Sequence, residues 1–128
     1  MKTLEIGLKT LDNDEVFLNF TFSGDFTEED AIEGIEEWRE LFSSARRDKL
    51  CIIWDCMQMT GYETGARIAW QKAIKELKKK INCVWLVTDS KIIKAGAKLM
   101  NAFTSFKLEV VKSIDQIAVK NSSFSVRA

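Results

Sequence analysis

Apolar residues recur along this chain with two different periods, and the switches between them predict its elements. Leu4, Ile6 and Leu8 alternate with polar neighbours, and Val16, Leu18, Phe20 and Phe22 do so again with Phe17 on the opposite side. A period of two belongs to half-buried strands. Asp12-Asn13-Asp14 between them is turn chemistry, so the segment predicts a hairpin whose second strand ends at Ser23-Gly24-Asp25. The spacing then becomes helical at Ile32, Ile35, Trp38 and Leu41 with Phe42. Thr27 reads as its N-cap and Glu28, Glu29 and Asp30 as an acidic first turn, predicting a helix over residues 27–44.

Leu50 to Trp54 is a short apolar run with β-branched residues, the pattern of a strand buried on both faces, and it is expected to stop at Asp55. Thr60-Gly61-Tyr62-Glu63 has the form of a capping box, predicting that Thr60 starts a second helix. Tyr62, Ala66, Ala69 with Trp70, Ala73 and Leu77 give that helix one apolar face, and Lys78-Lys79-Lys80 puts positive charge at its end. Cys83 to Val87 is a second buried run. Ser90 then caps a third helix carrying Ile92, Ile93, Ala97, Met100 and Phe103 on one face and Lys91, Lys94 and Lys98 on another. Lys107 to Val111 reads as a last strand, and Ser113, Asp115 and Gln116 as the start of a closing helical turn. The order ββαβαβα with a short C-terminal helix predicts an α/β fold, a mixed and mostly parallel sheet covered by helices. Residues 1–120 form one expected domain and 121–128 a polar tail.

Composition narrows the chemistry. The 128 residues include no proline and 6 glycines, which leaves little linker. The absence of histidine removes Ser-His-Asp and Cys-His catalysis and the commonest metal ligand together. Net charge is zero, against nucleic-acid binding by bulk charge. Residues 1–64 nevertheless carry 15 acidic and 6 basic side chains, and residues 65–128 carry 4 and 13. Such asymmetry fits solvated helix faces, and also a dipolar surface that orients a protein partner. Cys51, Cys56 and Cys83 are odd in number and lack Cys-x-x-Cys spacing, which speaks against zinc and suits a reducing cytoplasm. The N-terminus has no signal-peptide pattern, and no apolar run approaches the roughly 20 residues of a membrane span.

Ile52-Ile-Trp-Asp55, Thr60-Gly-Tyr-Glu-Thr-Gly65 and Val84-Trp-Leu-Val-Thr-Asp-Ser90, in this element order, resemble the STAS domain of anti-sigma-factor antagonists, the SpoIIAA-like family. Thr88-Asp-Ser90, Ala95 to Met100 and Leu108-Glu-Val-Val111 are similar to its divergent bacterial branch. The resemblance implies a noncatalytic regulator that meets a partner anti-sigma kinase, which phosphorylates a serine in an Asp-Ser-Ser/Thr-Gly motif where the second helix begins. The matching place here is Glu63-Thr64-Gly65, one residue shorter, with glutamate and threonine substituted. Thr64 is the position onto which a phospho-acceptor carries over; it also reads as a plain helix residue.

Three functions follow. One is a protein-interaction module using Asp55, Thr60, Tyr62, Glu63, Gly65, Asp89 and Ser90, all expected near strand ends, where α/β sheets receive ligands. Pairing through the open hairpin edge would make it a homodimer. A second is a binder of an apolar small molecule or lipid: STAS-like folds are similar in architecture to CRAL-TRIO domains, and the chain is rich in Phe, Trp and Met. A third is an enzyme using Asp55, Glu63, Thr64, Asp89 and Ser90, although nothing pairs a nucleophile with a base. No cofactor or metal is expected.

Overall fold

The computed structural model describes residues 2–10, 16–44, 50–101 and 107–117. Five strands form one sheet in the order β1 (Leu4–Thr10), β2 (Val16–Phe26), β3 (Leu50–Tyr62), β4 (Ile81–Val87) and β5 (Lys107–Val111). β1 and β2 are antiparallel, from Leu4 opposite Phe22 to Thr10 opposite Val16, and the remaining neighbours are parallel. The helices α1 (Glu28–Ser44), α2 (Thr64–Leu77) and α3 (Lys91–Asn101) make the parallel crossovers. The hairpin, the mixed sheet and the helical cover agree with the sequence pattern. The turn at residues 12–14 and the tail at 121–128 lie outside the described residues.

Alternation along each strand divides the core. Leu18, Phe20, Phe22, Ile52, Trp54, Val84 and Leu86 join residues of α1, α2 and α3 in the larger cluster. Trp38 and Trp70 lie with ring centroids 5.1 Å apart, and each meets Phe20 edge-on at 5.1 and 5.6 Å, a geometry that adds to the area buried. On the other face Phe17, Ile53, Trp85, Val87 and Val111 pack with Ile117, from a helical turn over residues 114–117. The closing turn is therefore a lid on the second face. Gln116 fixes it, its side chain accepting the Lys112 amide at 2.7 Å.

Several boundaries differ from expectation. Ser23-Gly24-Asp25 does not end β2; the strand bulges there, with Gly24 at φ 65°, and continues to Phe26. β3 likewise runs past Asp55. Its pairing with β4 ends at Asp55 opposite Val87, while β2 supplies partners up to Phe26 opposite Tyr62. The two strands thus extend beyond the sheet as a pair. Ile32 is 54% and Ile92 75% exposed, so the buried stripe of α1 is Ala31, Ile35, Trp38 and Phe42, and that of α3 includes Ile93 and Ala97. Lys80, expected to serve α2, instead donates to the Phe42 carbonyl of α1 at 2.9 Å.

Candidate functional site

The start of α2 is built differently from the predicted capping box. Thr60 and Tyr62 are strand residues, and Glu63 is the N-cap. The reason lies in β2: its long bulged end reaches Phe26, whose carbonyl accepts the Glu63 amide at 2.9 Å, so the backbone here is already paired as sheet. Glu63 does not cap its own helix. Its Oε1 accepts the Glu28 amide, the first of α1, at 2.7 Å. Thr27 accepts the Asp30 amide at 3.1 Å, so α1 has two side-chain caps, whereas no side-chain hydrogen bond caps α2 at Glu63.

Thr64 is the first residue of α2 and is exposed. Glu28 lies against Gly65: a Cβ there would stand 2.2 Å from Glu28 Oε2, the mobile end of that side chain. Two carboxylates, Glu28 and Glu63, therefore flank Thr64 at a helix end whose positive dipole favours negative charge. One turn along the helix, Ile68 is 45% exposed on the same side as Thr64.

Other predicted residues are dispersed. Tyr62 is half-buried, its hydroxyl so close to the Gly96 backbone that a Cβ there would lie at 2.6 Å. It lines an apolar pocket of about 50 Å³ with Phe22, Trp54, Met59, Arg67, Trp70 and Ile93. Trp54 Nε1 is buried with no hydrogen-bond partner among the described residues. Asp55 faces another cavity, shared with Thr21, Gln58, Lys112, Ser113 and Asp115, and its Oδ1 accepts the Met57 amide at 3.2 Å. Thr60 is exposed on the strand extension. Asp89 is exposed and Ser90 caps α3, its Oγ accepting the Ile93 amide at 3.3 Å. The expected single corner is thus the Glu63-Thr64-Gly65 junction, with the apolar pocket, the Asp55 cavity and the α3 cap as separate places. Glu28 escaped sequence reading because its role depends on a helix start 35 residues from Glu63.

Among the described residues, no three of His, Cys, Asp or Glu gather as a metal site, and no helix is long and apolar enough to cross a membrane.

A five-stranded mixed sheet with three crossover helices and a short closing helix defines a STAS-type α/β domain. Residues 17–118 match the SpoIIAA-like family, and the chain belongs to it. Its fold is similar to the crystal structure of a DUF3478-family protein with a SpoIIAA-like fold from Shewanella loihica PV-4, at a TM-score of 0.77 and 16% identity over 91% of each chain. No curated protein matches the sequence.

Proposed function

We propose that this chain is a noncatalytic, cytoplasmic protein-interaction module of the anti-sigma-factor-antagonist type, docking its partner through the start of α2. The observation that carries this reading is Thr64, exposed at the first position of a helix that its N-cap residue Glu63 does not cap through its side chain, with apolar Ile68 one turn on. Phosphorylation would add about −1.5 to −2 charges at the docking surface, against the Glu28 and Glu63 carboxylates beside it. A partner resembling an anti-sigma kinase would supply that modification. Phosphopeptide mapping of the protein from its own host tests it, since trypsin releases residues 50–67 with Thr60, Tyr62 and Thr64 together. Phosphate on Thr64 supports the switch; an unmodified peptide under several growth conditions removes it. Partner capture that survives both Thr64→Glu and Gly65→Trp would remove the docking surface as well. Self-association through the outer edge of β1, where Leu8 is 70% exposed, is a further partner mode, checked by sedimentation.

The apolar pocket under Tyr62 favours a second reading, the binding of a small apolar molecule. Trp54 and Arg67 both line that pocket. At about 50 Å³ it admits a group of a few heavy atoms, and a lipid would require α3 to move away. Native mass spectrometry of protein from its own host, finding no retained ligand, would exclude this reading.

A further inference from the structure

The three cysteines fall into two environments. Cys56 is buried in the larger core cluster, and burial, with the Asp55 charge adding, pushes its thiol up to about 12. Cys51 and Cys83 are half-buried beside the second cluster, on the other face of the sheet. They are register partners on β3 and β4, and their Sγ atoms lie 2.7 Å apart, closer than two unbonded sulfurs normally approach. Register partners on adjacent strands have Cα atoms about 4.8 Å apart and side chains on one face, within the roughly 4.4–6.8 Å a disulfide requires. Bridging them requires the two sulfurs to close from 2.7 Å to the roughly 2.0 Å of an S–S bond. The Asn82 side-chain amide donates to Cys51 Sγ at 3.5 Å.

We propose that Cys51 and Cys83 form a reversible redox modification site, closed to a disulfide by exchange with a low-molecular-weight disulfide. The Cys51 thiolate attacks one sulfur of the small disulfide, forming a mixed disulfide and expelling one small thiolate. The Cys83 thiolate then attacks Cys51 Sγ and expels the second. The two protons from the cysteines end on the two small thiols, so the protein dithiol is oxidised and the small disulfide reduced. Half-exposed bonds of this kind are the labile ones, and excess thiol reopens the site.

Closure changes more than two side chains. The bond would join the entry of β3, next to a register shift at Leu50 and Cys51, to β4. The closed loop contains the strand extension and all of α2, the helix that begins at Thr64. A loop of this length stabilises the fold chiefly by restricting the unfolded chain.

The test treats the full chain with oxidised glutathione, alkylates it in denaturant with iodoacetamide, and maps it with trypsin without reduction. The expected product has lost two hydrogens and joins peptide 50–67 to peptide 81–91. That link should persist in Cys56→Ala and vanish in Cys83→Ser. Its formation should raise Tm by about 5–15 °C, reversed by dithiothreitol. Alkylation of both Cys51 and Cys83 after oxidation, a stable glutathione adduct at either, or a bridge made through Cys56 would each overturn the proposal.

Discussion

Glu63 Oε1 accepts the backbone amide of Glu28 at 2.7 Å, so the residue that introduces α2 caps α1. The contact ties two helix starts together at the edge of the candidate docking surface. A cap of this kind contributes about 1 kcal/mol, less where solvent competes. Glu63→Ala should therefore lower stability by about 0.5–1 kcal/mol in urea unfolding, and Glu63→Gln, which keeps the acceptor oxygen, should recover most of it. Equal losses in the two variants would show that the charge matters more than the hydrogen bond.

The same pair of carboxylates shapes the response of Thr64. Negative charge at a helix start gains about 0.3–1 kcal/mol from the dipole. At Thr64 that gain is opposed by Glu63 beside it and by Glu28, packed on Gly65. Two like charges at close range outweigh the dipole, so Thr64→Glu should destabilise by about 0.5 kcal/mol at low salt, and the difference should fade at about 0.5 M salt, where screening acts over a few ångströms. A phosphate would act more strongly in the same direction and loosen the Glu63–Glu28 link. Thermal unfolding of the variant and wild type at two salt concentrations measures this.

The strand and helix order was legible because burial imposes its period directly on residues such as Phe20, Ile52 and Leu86. What was not legible depended on partners distant in sequence. Asp55 interrupts the apolar run, yet β3 continues because the bulged end of β2 offers it a ladder. Thr60 and Glu63 have the spacing of a capping box, but that local bond loses to Phe26 and Glu28, which only the fold brings near. Ile32 and Ile92 fit apolar spacing and still face outward, since periodicity locates a stripe but not its edge.

Gly34 shows a packing constraint that outranks helix propensity. It sits within α1, and a Cβ there would meet Leu4 Cδ2 at 2.4 Å. Leu4 is buried in the core, so it has little room to retreat. Alanine would gain about 1 kcal/mol of helix propensity and lose about 1–3 kcal/mol to overpacking. Gly34→Ala should be net destabilising by about 1 kcal/mol in denaturant unfolding, and combining it with Leu4→Val should remove the clash, leaving the double variant less destabilised than the sum of the two.

Asp30 should contribute to acid sensitivity, beside the exposed Glu76 that Arg39 also holds low. Asp30 Oδ2 accepts the Thr3 hydroxyl at 2.6 Å and the Thr3 amide at 2.8 Å, joining α1 to the chain leading into β1. The Thr3 side chain first, then its backbone, holds the Asp30 carboxyl below the usual carboxylate range. As pH falls through that range the unfolded chain takes up a proton before the folded one does, so stability falls with it. The contribution is complete above about pH 5 and is lost as pH drops below about 4 through the folded value. Asp30→Asn should cost about 1 kcal/mol at pH 7, and its difference from wild type should shrink by pH 3.

Cys56 sets the corresponding alkaline limit. Burial holds its thiol neutral to about 12, against 9.0 for the ordinary group. Between those values the unfolded chain has released a proton that the folded chain keeps, so stability falls as pH rises. Folded protein should therefore resist iodoacetamide at Cys56 at pH 8 while the same residue reacts fully in denaturant. Cys56→Ala removes the titrating group at the cost of a small cavity, about 1 kcal/mol at neutral pH. Its stability should decline less steeply than that of wild type between about pH 9 and 11, because only the wild type must bury a thiol its unfolded chain would ionise. Parallel declines in the two proteins would show that Cys56 ionises freely in the folded state.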